Sequence, residues 1–284
     1  MSEEKLFFYS NFDQALLFQS YGVNVKVDSN DRDLLLEVEQ RVRKAFLNRI
    51  KIIESSNDSA KHSFGIGLQN GLYFYFQDGI QNSYSESKNV VLNFFESMVR
   101  VTVAEHAVSK VFIHAAVVGW KGKAIVIPGN SYSGKSTLVA DLVRNGAEYY
   151  SDEYAVLDDR GYVHAFPRPI GIRGIEEAEL QTDVTVGSLG GVAGEKPLQV
   201  GMVLLTGYQA NAQWEPEILD PGRGVIEMIP HTIPIRFNTK FALSVLNNVA
   251  SSALVVKSKR HDSKKFSKIL LNFFDNRINC DRMT

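Results

Sequence analysis

Gly129, Asn130, Ser131, Tyr132, Ser133, Gly134, Lys135, Ser136 and Thr137 spell GNSYSGKST: a glycine, four open positions, then Gly-Lys-Ser-Thr. Such a string suits a chain of phosphates, because backbone N–H groups freed by glycine geometry curl around an anion at the N-terminus of a helix. In that reading Lys135 reaches the β and γ oxygens and the Ser136 hydroxyl helps to hold Mg²⁺. The plainer alternative is a glycine turn with a surface lysine. The setting disfavours it, since an apolar run, KAIVIP, precedes the string and an amphipathic one, KSTLVADLVRNG, follows it.

A pair of acids comes soon afterwards, with Asp152 only 16 residues beyond Ser136. A helix from Lys135 to Asn145 carries the chain about 16 Å away from the loop. The strand AEYYS brings it back by about the same distance. If that strand lies beside KAIVIP and runs parallel to it, Asp152 and Glu153 emerge at the phosphate end of the sheet. Asp152 is then the candidate base toward an incoming hydroxyl, and Glu153 a candidate metal-supporting carboxylate, direct or through water. The bland alternative is a solvated strand end. His114, in the apolar run VFIHAAVV, is either a core histidine with one hydrogen bond or a side chain reaching the same cavity. Arg168 and Arg173, in FPRPIGIRG, are candidates for contact with phosphate or an acidic acceptor, with structural salt bridges as the alternative.

Bulk properties narrow the classes of partner. The chain has 284 residues, 44% of them hydrophobic, and 31 Lys plus Arg against 32 Asp plus Glu. It can fill a core, and no net field draws it to nucleic acid or an acidic membrane surface. The one cysteine, Cys280, rules out a disulfide framework within one chain. No apolar run approaches the roughly 20 residues needed to cross a bilayer. The expectation is a cytoplasmic, soluble protein with no nucleic-acid and no membrane partner. No dinucleotide fingerprint occurs at the phosphate string, and the His-Arg-Asp and Asp-Phe-Gly text of eukaryotic-type protein kinases is missing.

The elements that must position these residues fall into two expected domains, 1–108 and 109–284. In the first, residues 16–29 alternate like a strand, 31–50 have helical spacing after an Asp, and FGIGLQNGLYFYFQDG reads as a hairpin turning at Asn70-Gly71. This small α+β unit offers no chemical motif, which leaves it acceptor recognition or oligomer contacts. A helical run over 85–110 leads to two β-rich runs around Lys121-Gly122, the phosphate string, a helix with Gly146 past its end, AEYYSDE, and a hairpin turning over Asp158–Gly161. Residues 176–198, polar and glycine-rich, read as one long loop. Strand LQVGMVLLT, an irregular segment containing DPGRG, a helical IPIRFNTKFALSVLNNVASSA, strand LVVKSK and a final helix complete the chain.

The text FIHAAVVGWKGKAIVIPGNSYSGKSTLVADLVRNGAEYYSDEYAVLD resembles the catalytic core of the HPr serine kinase family. There a histidine strand, the phosphate loop, a short helix and an Asp pair follow in this order and spacing. The likeness covers residues 109–173 well and SALVVKSKRHDSKKFSKILLNFF more loosely. The resemblance implies an α/β fold: a P-loop kinase domain of HPr-kinase type, a mixed sheet with flanking helices, preceded by the small α+β domain. It further implies that Lys135 and Ser136 bind nucleotide phosphates and Mg²⁺, that Asp152 activates a serine hydroxyl, that Glu153 stands in for the second Asp, and that His114 lies near the phosphates. Members assemble into oligomers, so a homo-oligomer is expected too. The family's bifunctional members carry Glu-x-Arg-Gly-x-Gly after the acid pair. Here the text is GIRGIE, with Gly171 in place of the glutamate, so the ligand the resemblance implies is either missing or supplied elsewhere, with Glu176 as the candidate. That departure points away from phosphorylase activity and from HPr as acceptor. The expected activity is transfer of the γ-phosphate of ATP to a serine of a protein or peptide, with a small-molecule alcohol as second acceptor. A non-catalytic ATP-sensing module and a nucleotide hydrolase are the competing readings. ATP rather than GTP or pyrophosphate rests on the resemblance alone.

Overall fold

The computed structural model describes residues 11–54, 60–130, 133–173 and 181–281. Contacts within the chain separate two compact units, Met1–Ser109 and Lys110–Thr284. In the first, strands β1 (Gln14–Ser20), β2 (Val23–Ser29), β3 (Lys51–Ile52), β4 (His62–Gln69), β5 (Leu72–Gln77) and β6 (Ile80–Ser85) form a sheet ordered β3-β1-β2-β4-β5-β6. Helices α1 (Arg32–Ala45) and α2 (Lys88–His106) bury Val38, Val42, Phe95 and Val99 against Phe18, Val25, Phe64 and Ile66 of the sheet. Residues 16–29 are two strands rather than the single one their alternation suggests. Tyr21 and Gly22 take φ of 49° and 81°, the paired left-handed geometry that turns a tight hairpin. Asn70-Gly71 and Asp78-Gly79 do the same. Strands β2 and β4 are parallel, which requires a crossover, and α1 supplies it, started by the Asp31 carboxylate accepting from Leu34 N at 2.8 Å.

The second unit contains β7 (Val111–Trp120), β8 (Lys123–Pro128), α3 (Lys135–Arg144), β9 (Glu148–Ser151), β10 (Tyr154–Leu157), β11 (Tyr162–His164), β12 (Ile170–Arg173), β13 (Gln181–Val184), β14 (Leu198–Tyr208), β15 (Glu217–Ile218), α4 (Pro221–Met228), α5 (Thr239–Ser252), β16 (Leu254–Arg260) and α6 (Ser263–Asp281). Its main sheet runs β11-β10-β7-β8-β14-β16-β15, with β9 also on β7. Strands β8, β14 and β16 are parallel, and β7 is antiparallel to β8, so the sheet is mixed. Alternate residues of β7 serve opposite faces. Ala116 and Val118 pack with Leu138 and Leu142 of α3 and Phe266 and Leu270 of α6, whereas Ala115 and Val117 pack with Val245 and Leu246 of α5 and Met228 of α4. Among the described residues no helix is long and apolar enough to cross a membrane.

Two expectations fail in this unit. The stretch 176–198 is not one long loop: Thr182 and Val184 of β13 pair with Ile172 and Ile170 of β12, and Gly187–Leu189 form a 3₁₀ turn. Cross-strand contact between apolar and β-branched residues outweighs the polar text around them. The segment around DPGRG is not irregular either. Asp220 accepts from Arg223 N at 3.0 Å and Pro221 occupies the first helical turn, so the five residues start α4.

Candidate active site

Strand β8 ends at Pro128 and α3 begins at Lys135, with Gly134 at φ +77° between the loop and the helix. Lys135 is 8% exposed and donates its Nζ to the carbonyls of Gly129 at 2.6 Å and Asn130 at 2.8 Å. Burial pulls its ammonium down to about 8, with Asp152 opposing the shift. Ser131 and Tyr132 lie outside the described residues. Thr137 is exposed on α3, unlike the half-buried Ser133, Gly134 and Ser136.

The strand carrying the acids does not lie beside β8. Strand β9 pairs antiparallel with the C-terminal half of β7, and β10 pairs antiparallel with its N-terminal half. Residues 148–157 thus follow a single track along β7, broken at Asp152 and Glu153. The ten-residue β7 is long enough to carry β8 on one edge and both short strands on the other. The break sits beside Ala115, whose N–H donates to Glu153 O at 3.2 Å and which pairs with Pro128 across the other edge. The acid pair and the loop therefore straddle β7 at one level.

Asp152 accepts from Gly171 N at 3.1 Å and from Tyr149 Oη at 3.0 Å, and its carboxylate faces the Ser136 hydroxyl. Burial pushes its carboxyl above the usual range, and these donors pull it partly back. Gly171 contributes its backbone N–H to Asp152. Glu153 instead pairs with Arg168 at 3.1 Å. Arg168 O accepts from the Tyr149 hydroxyl at 2.7 Å, so this pair is tied to the same cluster. Arg173 closes β12 opposite Gln181, and Glu176 lies outside the described residues. His114 O accepts from Gly129 N at 3.2 Å, which fixes β7 to the start of the loop. Burial, then the Lys135 and His231 charges, pull the His114 ring down to about 4, so it is neutral near pH 7. Lys135, Ser136, Asp152 and His114 come together; Glu153 and Arg168 form their own pair at the edge.

Three residues at the site have no counterpart in the reading of the sequence. Tyr149 reads there only as a strand residue, although a phenol three residues before an acid pair is a usable signal. His231, also pushed toward neutrality by burial and Lys135, sits in a short 3₁₀ turn between prolines and gives no local sign. Arg260 directly follows the expected strand LVVKSK and carries no motif, yet it is 3% exposed and donates to the phosphate string. A cavity of about 580 Å³ opens beside the loop, bordered by Gly129, Asn130, Ser133, Thr206, His231 and Lys257 at the carboxyl ends of β8, β14 and β16.

Among the described residues no group of three or more His, Cys, Asp or Glu could hold a metal by itself. The oxygens of Ser136 and Asp152 nevertheless form a hard donor pair that suits Mg²⁺, an ion that normally takes its remaining ligands from phosphates and water. No family model and no curated protein matches the chain. Among solved structures it is similar to the HPr(Ser) kinase/phosphatase of Coxiella burnetii, at 14% identity and a TM-score of 0.32, over 60% of this chain and 98% of that one.

Proposed function

We propose that the second unit is an ATP- and Mg²⁺-dependent kinase that transfers the γ-phosphate to a hydroxyl, with a serine of a protein or peptide as first acceptor and a small-molecule alcohol as second. The observation that most supports this is the placement of the half-buried Asp152 beside Ser136 and Lys135 of the phosphate string. It sets beside the phosphate string an acid whose proton affinity burial raises, as a base for an alcohol needs. The N–H groups at the start of α3 and the Lys135 ammonium bind and neutralise the phosphates. Ser136 and Asp152 would hold Mg²⁺, which when bound supplies charge neutralisation on the phosphate oxygens. The acceptor oxygen attacks the γ-phosphorus, the bond to the β–γ bridging oxygen breaks, ADP leaves, and the acceptor proton passes to Asp152. The neutral His114 and His231 rings add no competing positive charge. The cavity beside the loop has room for the nucleoside.

The test is transfer of label from γ-labelled ATP with Mg²⁺ into soluble protein and small-molecule fractions, comparing wild type with Lys135→Ala and Asp152→Asn. A base role predicts that Asp152→Asn loses about 10²- to 10⁴-fold in transfer at saturating ATP and Mg²⁺, while binding of ATP without Mg²⁺ changes little. Labelled protein made only by the wild type identifies the acceptor. Label confined to small molecules selects the alcohol kinase. Phosphate release without any acceptor selects a hydrolase, and ATP binding without transfer or release overturns the kinase reading in favour of an ATP-sensing module.

A further inference from the structure

Arg260 ends β16, is 3% exposed, and has no ion pair among the described residues. Its Nη2 donates to Ser133 O at 3.1 Å and Gly134 O at 2.9 Å, its Nη1 makes a 3.4 Å contact with His261 O, and its Nε is buried without a partner. Asp141 and Asp262 act on it only at longer range. A buried cation without a contacting carboxylate is costly. Its position adds to that cost, because the N-terminus of α3 is the positive end of the helix dipole and already holds Lys135. Packing alone does not account for two buried cations at a helix N-terminus; a polyanion arriving there would account for both.

We propose that Arg260 is the positioning residue of the phosphate string, an inference that rests on the phosphate-binding reading above. A trans peptide points its C=O and N–H in opposite directions. By drawing the carbonyls of Ser133 and Gly134 to one side, the guanidinium turns the N–H groups of Gly134 and Lys135 to the other, where they converge on a phosphate. Gly134 is suited to this twice over: φ is +77°, and a Cβ there would stand 2.5 Å from Arg260 Nη2. The unneutralised charge of Arg260 adds attraction for the polyanion from behind the loop. The guanidinium touches no phosphate itself and acts through the backbone it orients.

The experiment measures binding of inorganic tripolyphosphate to the full chain by calorimetry, with wild type, Arg260→Met, Arg260→Lys and Lys135→Ala, each checked for folding by circular dichroism. Arg260→Met should weaken binding on the order of 10- to 100-fold, and Arg260→Lys, which keeps the charge but not the planar fork, by less. The amide resonances of Gly134 and Lys135 should shift in the ligand-free Arg260→Met protein, a signature that a remote loss of stability would not produce. A folded Arg260→Met variant that binds within twofold of wild type overturns the proposal. If that variant does not fold, Arg260→Lys decides: weaker binding at unchanged melting temperature supports the role, and wild-type affinity overturns it. Wild type binding while Lys135→Ala does not, with Arg260→Met unchanged, removes Arg260 and leaves the phosphate site standing. Wild-type protein that binds no tripolyphosphate overturns both.

Discussion

Replacing Gly134 with alanine tests the loop geometry without assuming any reaction. Alanine at φ +77° costs about 1 kcal/mol because its Cβ crowds the backbone in the left-handed region. The same Cβ would lie 2.5 Å from Arg260 Nη2, closer than real contacts come, so the guanidinium must withdraw. Its two bonds to Ser133 O and Gly134 O are then lost or badly bent in a buried setting. Bonds to charged groups contribute roughly 1.5–3 kcal/mol each, and partial recovery elsewhere leaves a total loss on the order of 3–5 kcal/mol. Both tryptophans, Trp120 and Trp214, belong to the second unit, so urea unfolding followed by tryptophan fluorescence reports on that unit alone. The decisive comparison is a double-mutant cycle. In an Arg260→Met background the clash disappears, and Gly134→Ala should cost only about 1 kcal/mol, the backbone part. Equal costs in the two backgrounds, or a cost below about 1 kcal/mol in the wild-type background, would refute the account of the loop.

Two further expectations concern pH. Lys135 has a folded value of about 8 against 10.5 for the free group, so in the unliganded protein the ammonium empties as pH rises through about 8. Tripolyphosphate affinity should then fall about 10- to 30-fold from about pH 7.5 to about pH 9.5 relative to a Lys135→Arg variant, whose charge persists; parallel profiles would contradict it. His114 falls to about 4 in the fold against 6.5 in the open chain. Between those values the unfolded chain binds the extra proton, so acidification from pH 6.5 toward 4 removes stability, with a slope from this group of at most about 1.4 kcal/mol per pH unit. Urea unfolding of His114→Gln should show a flatter dependence in that window, and an identical one would place the wild-type ring in water.

Local chemistry made much of the molecule legible in the chain itself. Glycine pairs such as Asn70-Gly71 and Lys121-Gly122 demand positive φ at both residues, and helices α1, α3 and α6 carry their apolar spacing openly. The phosphate string was readable because glycine, lysine and hydroxyl must follow one another on adjacent backbone atoms for that geometry to form. Where short-range rules favoured two outcomes, reading failed: Tyr21-Gly22 was hidden inside an alternating run, and the polar text before β14 concealed the pairing of β12 with β13.

Which residues could do chemistry, Lys135, Ser136 and Asp152 among them, is legible in the chain because their types and their order around one helix are local properties. How they meet depends on strand pairing. The sequence cannot say which edge a strand will take, and β9 lies on β7 rather than on β8, so the acid pair reaches the loop through a break in a strand track. Nor can it tell that Arg260, more than a hundred residues beyond Gly134, turns that loop's carbonyls. Contacts between such distant residues depend on the loops and strands that close between them, and no local spacing records that closure.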